Sequence, residues 1–182
     1  VATGFFGSKT TANQQTVQCQ FTSGDVIDFL GTGTGGAVGF RLTTTQVFRD
    51  PSAWYHIVAV LDTTQATNTN RVKLYVNGSQ VTAFSTATYP TQNDTYSTNA
   101  TQPQYVGTVQ GTGGAFSYFD GYLTEINFID GQALTPSSFG ENDSITGVWK
   151  PKKYTGTYGT NGFYLNFSDN SNNTATTIGK DY

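Results

Sequence analysis

The stretch RVKLYVNGSQVTAF, residues 71–84, decides the fold. Val72, Leu74 and Val76 alternate with polar or larger neighbours, which is the period of a strand with one buried face. Asn77-Gly78 then supplies the pair of positive-φ residues that a tight hairpin demands, and Val81 begins the return strand. Upstream, WYHIVAVLD (54–62) is apolar on both alternations and predicts a central strand covered on each side. Between them TTQATNTN (63–70) is a polar loop.

The same grammar extends outward. TVQCQFT (16–22) and GDVIDFLG (24–31) read as strands joined at Ser23-Gly24, and AVGFRL (37–42) and QVFR (46–49) as two more. YVGTV (105–109) is a further strand, FSYFDGYLTEINFID (116–130) alternates through Tyr118, Leu123 and Ile126 with a break at Gly121, and a last strand lies near Phe163–Phe167. Thr135 before Pro136 predicts one short helical turn. About a dozen short strands in 182 residues predict an all-β chain, a two-sheet antiparallel β-sandwich of jelly-roll form. It is expected to be a single domain, with a core over about 16–140 and a C-terminal extension, 141–182, completing or flanking it.

Composition agrees and excludes several functions. Aromatics make up 14% of residues and charged side chains only 12%, about half the usual share, so hydroxyls and amides carry the solubility. A net charge of −3 argues against nucleic acid as a partner, since phosphates need clustered Lys and Arg. Lys150, Lys152 and Lys153 are the nearest approach to a basic patch and read as a solvated loop. No apolar run approaches the roughly 20 residues of a membrane span, so no membrane insertion is expected. The chain opens at Val1 without a leader-like segment and reads as part of something longer. Six Asn-x-Ser/Thr triplets begin at Asn77, Asn93, Asn99, Asn142, Asn166 and Asn172, and matter only in a glycosylating pathway.

WYHIVAVLD…RVKLYVNGSQV together with YFDGYLTEINFIDGQALTPSSFG (118–140) resembles a laminin-G-like domain of the concanavalin A-type lectin/glucanase superfamily. Trp54, His56, Asn77, Gly78, Phe119, Gly121, Ile126 and Leu134 carry that resemblance, all at scaffold positions. Residues 131–182 resemble the tail of such modules in bacteriophage virion proteins, on tail fibres, tail appendages or decorated heads. What this implies is a virion localisation, other copies and other virion proteins as partners, and host surface glycan as ligand. A purely structural shell or filament subunit is the alternative, and a glycan hydrolase the distant one.

Catalytic candidates are sparse. Glucanases of this fold carry a Glu-x-Asp-x-(x)-Glu strand, whose counterpart here is Glu125-Ile-Asn127-Phe-Ile-Asp130. The assisting acid has become an amide, and the proton donor is one methylene shorter. Glu125 then reads as an exposed strand position or a partner for Arg or Lys, and Asp130-Gly131 as a turn. His56 and Cys19 are single copies, too few for zinc. Cys19 alternates with Val17 and Phe21 and reads as a small core side chain, and His56 as a structural histidine facing with Trp54 and Val58. No catalytic residue and no cofactor is expected, calcium at Asp94 or Asp120 being the one weak metal candidate. Residues 85–104 form an expected long loop, and such loops carry function. Tyr89, Asn93, Asp94, Tyr96 and Asn99 within it combine aromatic faces with planar polar groups, the chemistry that holds a sugar.

Overall fold

A computed structural model describes residues 2–10, 15–110 and 116–182. The chain divides into two compact units, Val1–Gly121 and Tyr122–Tyr182.

The strands of the first unit are β1 (Thr3–Lys9), β2 (Thr16–Phe21), β3 (Val26–Thr32), β4 (Val38–Val47), β5 (Ile57–Leu61), β6 (Val72–Val76), β7 (Ser79–Gln80), β8 (Phe84–Thr88), β9 (Gln104–Val106), β10 (Thr108–Gln110) and β11 (Phe116–Tyr118). Six of them form one antiparallel sheet in the order β8-β4-β3-β2-β1-β9, and β5-β6-β7 form a second. Alternation explains the packing: Val17 and Cys19 of β2, Ile27 and Phe29 of β3, and Phe40 and Leu42 of β4 share one buried cluster with Val72, Leu74 and Val76 of β6. The two sheets thus close a sandwich over a common apolar core. Phe29 and Phe40 meet edge to face across β3 and β4, with centroids 5.0 Å apart.

Away from that core, Asp28 of β3 is fully buried in a hydrogen-bonded set. Arg41 reaches it in a fork, Nε at 2.9 Å and Nη2 at 2.8 Å, and Thr43 Oγ1 donates at 2.7 Å. A carboxylate out of water is tolerated when it is paired in this way. At the far end of the second sheet, Asn77 and Gly78 hold φ of 47° and 81°, as expected of their turn.

The second unit carries β12 (Ile126–Phe128), β13 (Gly140–Asn142), β14 (Trp149–Pro151) and β15 (Phe163–Leu165), paired as β12-β15 and β13-β14. A 3-10 turn at Pro136–Ser138 follows Thr135, as expected from the proline, although the Thr135 hydroxyl bonds Ser137 rather than capping the turn. Among the described residues no helix is long and apolar enough to cross a membrane.

Several boundaries differ from expectation. Residues 38–47 are one strand, not two. β5 stands at a sheet edge: Ile57 and Leu61 pack on the core, Ala59 is exposed, and Trp54 lies outside the strand with 64% of its surface open. Residues 85–88 belong to β8 rather than to a loop. That strand reads Phe-Ser-Thr-Ala-Thr and is almost wholly exposed on both faces, so it has no hydrophobic period to reveal it. The expected strand over 116–130 is broken into β11 and β12, since Glu125 holds φ of 55°, a left-handed value incompatible with a strand.

Candidate functional site

Two loops of the first unit form a braced polar rim. Arg71, just before β6, donates three 2.8 Å hydrogen bonds to backbone carbonyls: Nε to Gln65, Nη2 to Ala66 and Nη1 to Pro90. Its guanidinium therefore ties the loop after β5 to the loop after β8. The tie is repeated nearby. The Asn93 N–H donates to Thr63 O at 2.9 Å, Thr63 Oγ1 to Asp94 O at 2.9 Å, and Gln92 Nε2 to Thr64 O at 3.0 Å. Asp62 closes the base, accepting from Thr64 Oγ1 and Gln65 Nε2, each at 2.6 Å; these bonds hold its carboxyl below the ordinary carboxylate range.

On this rim Asn93, Asp94 and Asn99 are exposed, Asn93 and Asn99 each with φ of 63°. The two tyrosines expected beside them face the other way. Tyr96 is only 8% exposed and sits in the sandwich core, its ring edge-on to Phe40 at 5.0 Å. Burial pushes its phenol well above the usual tyrosine range, with the neighbouring Asp94 charge adding to the effect. Its hydroxyl donates to Asp94 Oδ2 at 3.3 Å. Tyr89 is half-buried against the same core. The aromatic platform expected from Tyr89 and Tyr96 is thus corrected: as the only aromatic side chains of an otherwise polar loop, they anchor it. Ser97 finishes the anchorage, fully buried and sharing a 2.7 Å hydrogen bond with Ser8 of β1.

A hard cation wants six to eight oxygens. The Asp94 carboxylate already accepts Tyr96 and its carbonyl accepts Thr63, while Asp120 stands exposed. Among the described residues no three His, Cys, Asp or Glu side chains gather to hold a metal. The residues at Asp94 do not fit a calcium site.

In the second unit, Glu125 precedes β12 and its Oε2 accepts the Tyr164 hydroxyl at 2.6 Å. Its partner is a phenol, not the Arg or Lys expected. Desolvation, reinforced by the Glu125 carboxylate, pushes the Tyr164 phenol up to about 12. Asn127 accepts from Tyr158 Oη at 2.9 Å, and Tyr158 stacks on Tyr164. Asp130 braces a separate loop. Its Oδ2 accepts the Asn161 backbone N–H at 3.2 Å and amide Nδ2 at 3.3 Å, while its own N–H donates to Tyr158 O. Gly131 follows with φ of 77°, as a turn requires. Lys150 lies on β14 rather than in a loop, beside Asp143 at 3.3 Å and Glu141 at 3.7 Å.

Cys19 is 2% exposed within the core, and burial raises its thiol far above the reactive range. His56 exchanges backbone bonds with the hairpin turn, donating its N–H to Asn77 Oδ1 and accepting the Asn77 N–H, each at 2.8 Å. Burial lowers its imidazole pKa. Three features had not been expected from sequence: the Arg71 tie, the Asp28–Arg41–Thr43 set, and the exposed rings of Phe116 and Tyr118 on β11.

No curated protein and no solved structure gives a match to this chain. A laminin-G-type family model, described as the concanavalin A-like lectin/glucanases superfamily, matches residues 2–138. That span covers every strand of the first unit and β12 of the second. The chain belongs to the laminin-G-like branch of the concanavalin A-like lectin/glucanases superfamily.

Proposed function

We propose that this chain is a non-catalytic carbohydrate-binding module on a bacteriophage virion, working in many copies. The observation that carries the reading is the rim held by Arg71, which presents Gln92, Asn93 and Asp94 to solvent on a sandwich of a lectin-containing superfamily. Planar amides and a carboxylate are the groups that bind sugar hydroxyls, and loops fixed before binding spend little ordering entropy. The absence of catalysis is supported by the acids. The Glu125 carboxylate accepts the Tyr164 hydroxyl and the Asp130 carboxylate braces the Asn161 loop, so both acids have structural partners. The virion setting is supported by the resemblance of residues 131–182 to phage modules, and repetition on a particle turns weak single sites into avidity.

A second reading, a structural subunit without ligand, is favoured by β8. It is the outer strand of the six-stranded sheet and carries neither charge nor proline, the usual protections of an edge.

The test is retention of bead-displayed chain on immobilised bacterial surface polysaccharides, comparing the native sequence with Asn93→Ala/Asp94→Ala. The proposal expects retention by at least one polysaccharide class and its weakening in the double variant. Absence of retention throughout, with a native assembly that buries the rim and β8, establishes the structural reading instead.

A further inference from the structure

The β10-β11 hairpin has two unlike faces. On the inner one, Val109 is 2% exposed and lies over Gly4 and Gly7 of β1. A Cβ on Gly7 would stand 3.1 Å from Val109, and one on Gly4 would strike its isopropyl group, so both glycines clear the seat. Two hydrogen bonds pin the hairpin there and a third closes it on itself. Gln18 Nε2 donates to Gln110 O at 2.9 Å, Gly107 N–H to Phe5 O at 2.9 Å, and Phe119 N–H to Gly107 O at 2.8 Å.

The outer face follows from the register. Thr108 is opposite Tyr118 and Gln110 opposite Phe116, so all four side chains point away from Val109. The Phe116 and Tyr118 rings are 6.0 Å apart and 24° from parallel, and Tyr105 of β9 meets Phe116 edge-on at 5.7 Å. Phe116 is 40% and Tyr118 70% exposed. Rings left this open add little to folding, yet they are held on a pinned strand.

We propose that Phe116 and Tyr118 form a stacking platform for a neutral hexopyranose unit of a polysaccharide, with the Gln110 amide and Thr108 hydroxyl oxygen addressing its hydroxyls. The proposal rests on the carbohydrate-binding reading and locates a second contact for it. None of these four residues, nor Tyr105 beside them, carries a charge, which matches a neutral sugar rather than a sialylated or sulfated one. A pyranose presents an apolar C–H face beside polar edges, and this surface sets aromatic rings beside an amide and a hydroxyl. Its size also suits a sugar. The open parts of two rings offer roughly 200 Å², against about 800 Å² on each partner of a standard protein interface.

The experiment titrates the 15N-labelled chain with cello-, laminari-, malto- and mannohexaose at millimolar concentration, following backbone amides. The expected result is a cluster of shifts at residues 105–110 and 116–118, separate from any at the rim, with at least one oligosaccharide. Tyr118→Ala or Phe116→Ala should weaken it about tenfold, Tyr118→Trp should retain it, and Asn93→Ala/Asp94→Ala should leave these shifts in place. Unchanged melting temperatures show that the variants fold. If the chain is retained on polysaccharide but insensitive to Tyr118→Ala and Phe116→Ala, the platform is overturned while the carbohydrate reading stands. If no saccharide is bound in either assay, both are overturned. Concentration-dependent self-association abolished by Tyr118→Ala also overturns the platform, making the patch a contact between copies.

Discussion

Tyr96 is where a binding role and a folding role separate most sharply. Its ring fills core space beside Phe40 and next to Gly39, whose missing side chain leaves room for the phenol. Tyr96→Ala should therefore cost about 3–5 kcal/mol in chemical denaturation, as truncation of a buried aromatic does. A ring serving as an open sugar platform would leave stability unchanged, so the denaturation midpoint distinguishes the two. Cys19 should resist a thiol reagent in the native protein and react only once denaturant opens the core; rapid native labelling would contradict its placement. Arg41→Ala should cost about 3 kcal/mol, the low end for stranding a buried carboxylate, because Arg41 itself is partly open to solvent. Sequence could place Cys19, because Val17 and Phe21 share its alternation, and the structure bears that out. It could not rank the tyrosines. Tyr89 and Tyr96 sit in polar, loop-like sequence yet turn inward, while Tyr118 sits in strand-like sequence yet turns outward, because partners distant in the chain decide each case. Asp28, between Ile27 and Phe29, gave no sign that Arg41 would be its neighbour across β3 and β4.

Among the elements, legibility followed local chemistry. The β6-β7 turn was readable because Asn77-Gly78 encodes it without outside help. Gly78→Ala should destabilise by about 1–2 kcal/mol, the penalty for a Cβ in the left-handed region, measurable by denaturant titration. β1 and β8 were missed because glycines and small polar residues conceal their pairing. The β12-β15 pair supplies a pH prediction. The Tyr164 phenol is raised to about 12, against about 10 in an unfolded chain. A raised folded value means that the stabilisation is fully present below about pH 10 and is lost as pH rises toward 12. Tyr164→Phe should remove that component of the alkaline transition, read from the ring carbon resonances of labelled tyrosine and the amides of β12. An ordinary titration near 10 would contradict the desolvation of the phenol together with its bond to Glu125. The tail adds to this element: Tyr164 N–H donates to Asp181 Oδ1 at 2.8 Å, and Tyr182 N–H donates to Tyr164 O.

For the molecule as a whole, composition and strand period were enough for the all-β class, which depends on sums over many residues, whereas the family was legible only in the resemblance carried by particular residues such as Trp54, His56, Asn77-Gly78 and Gly121. The ligand surface depends on a few side chains and on which loops are tied together, which no periodicity reports. Arg71 reads in sequence as one more charge beside a strand, yet it defines the rim. The central claim is that the chain holds glycan without cutting it, and one measurement addresses both halves. The native chain is incubated with the polysaccharides that retain it, and bound protein and new reducing ends are quantified together. The predicted result is saturable binding, no new reducing ends, and binding weakened by Asn93→Ala/Asp94→Ala. Reducing ends that accumulate with time and vanish in Glu125→Gln would contradict it and make the protein a hydrolase.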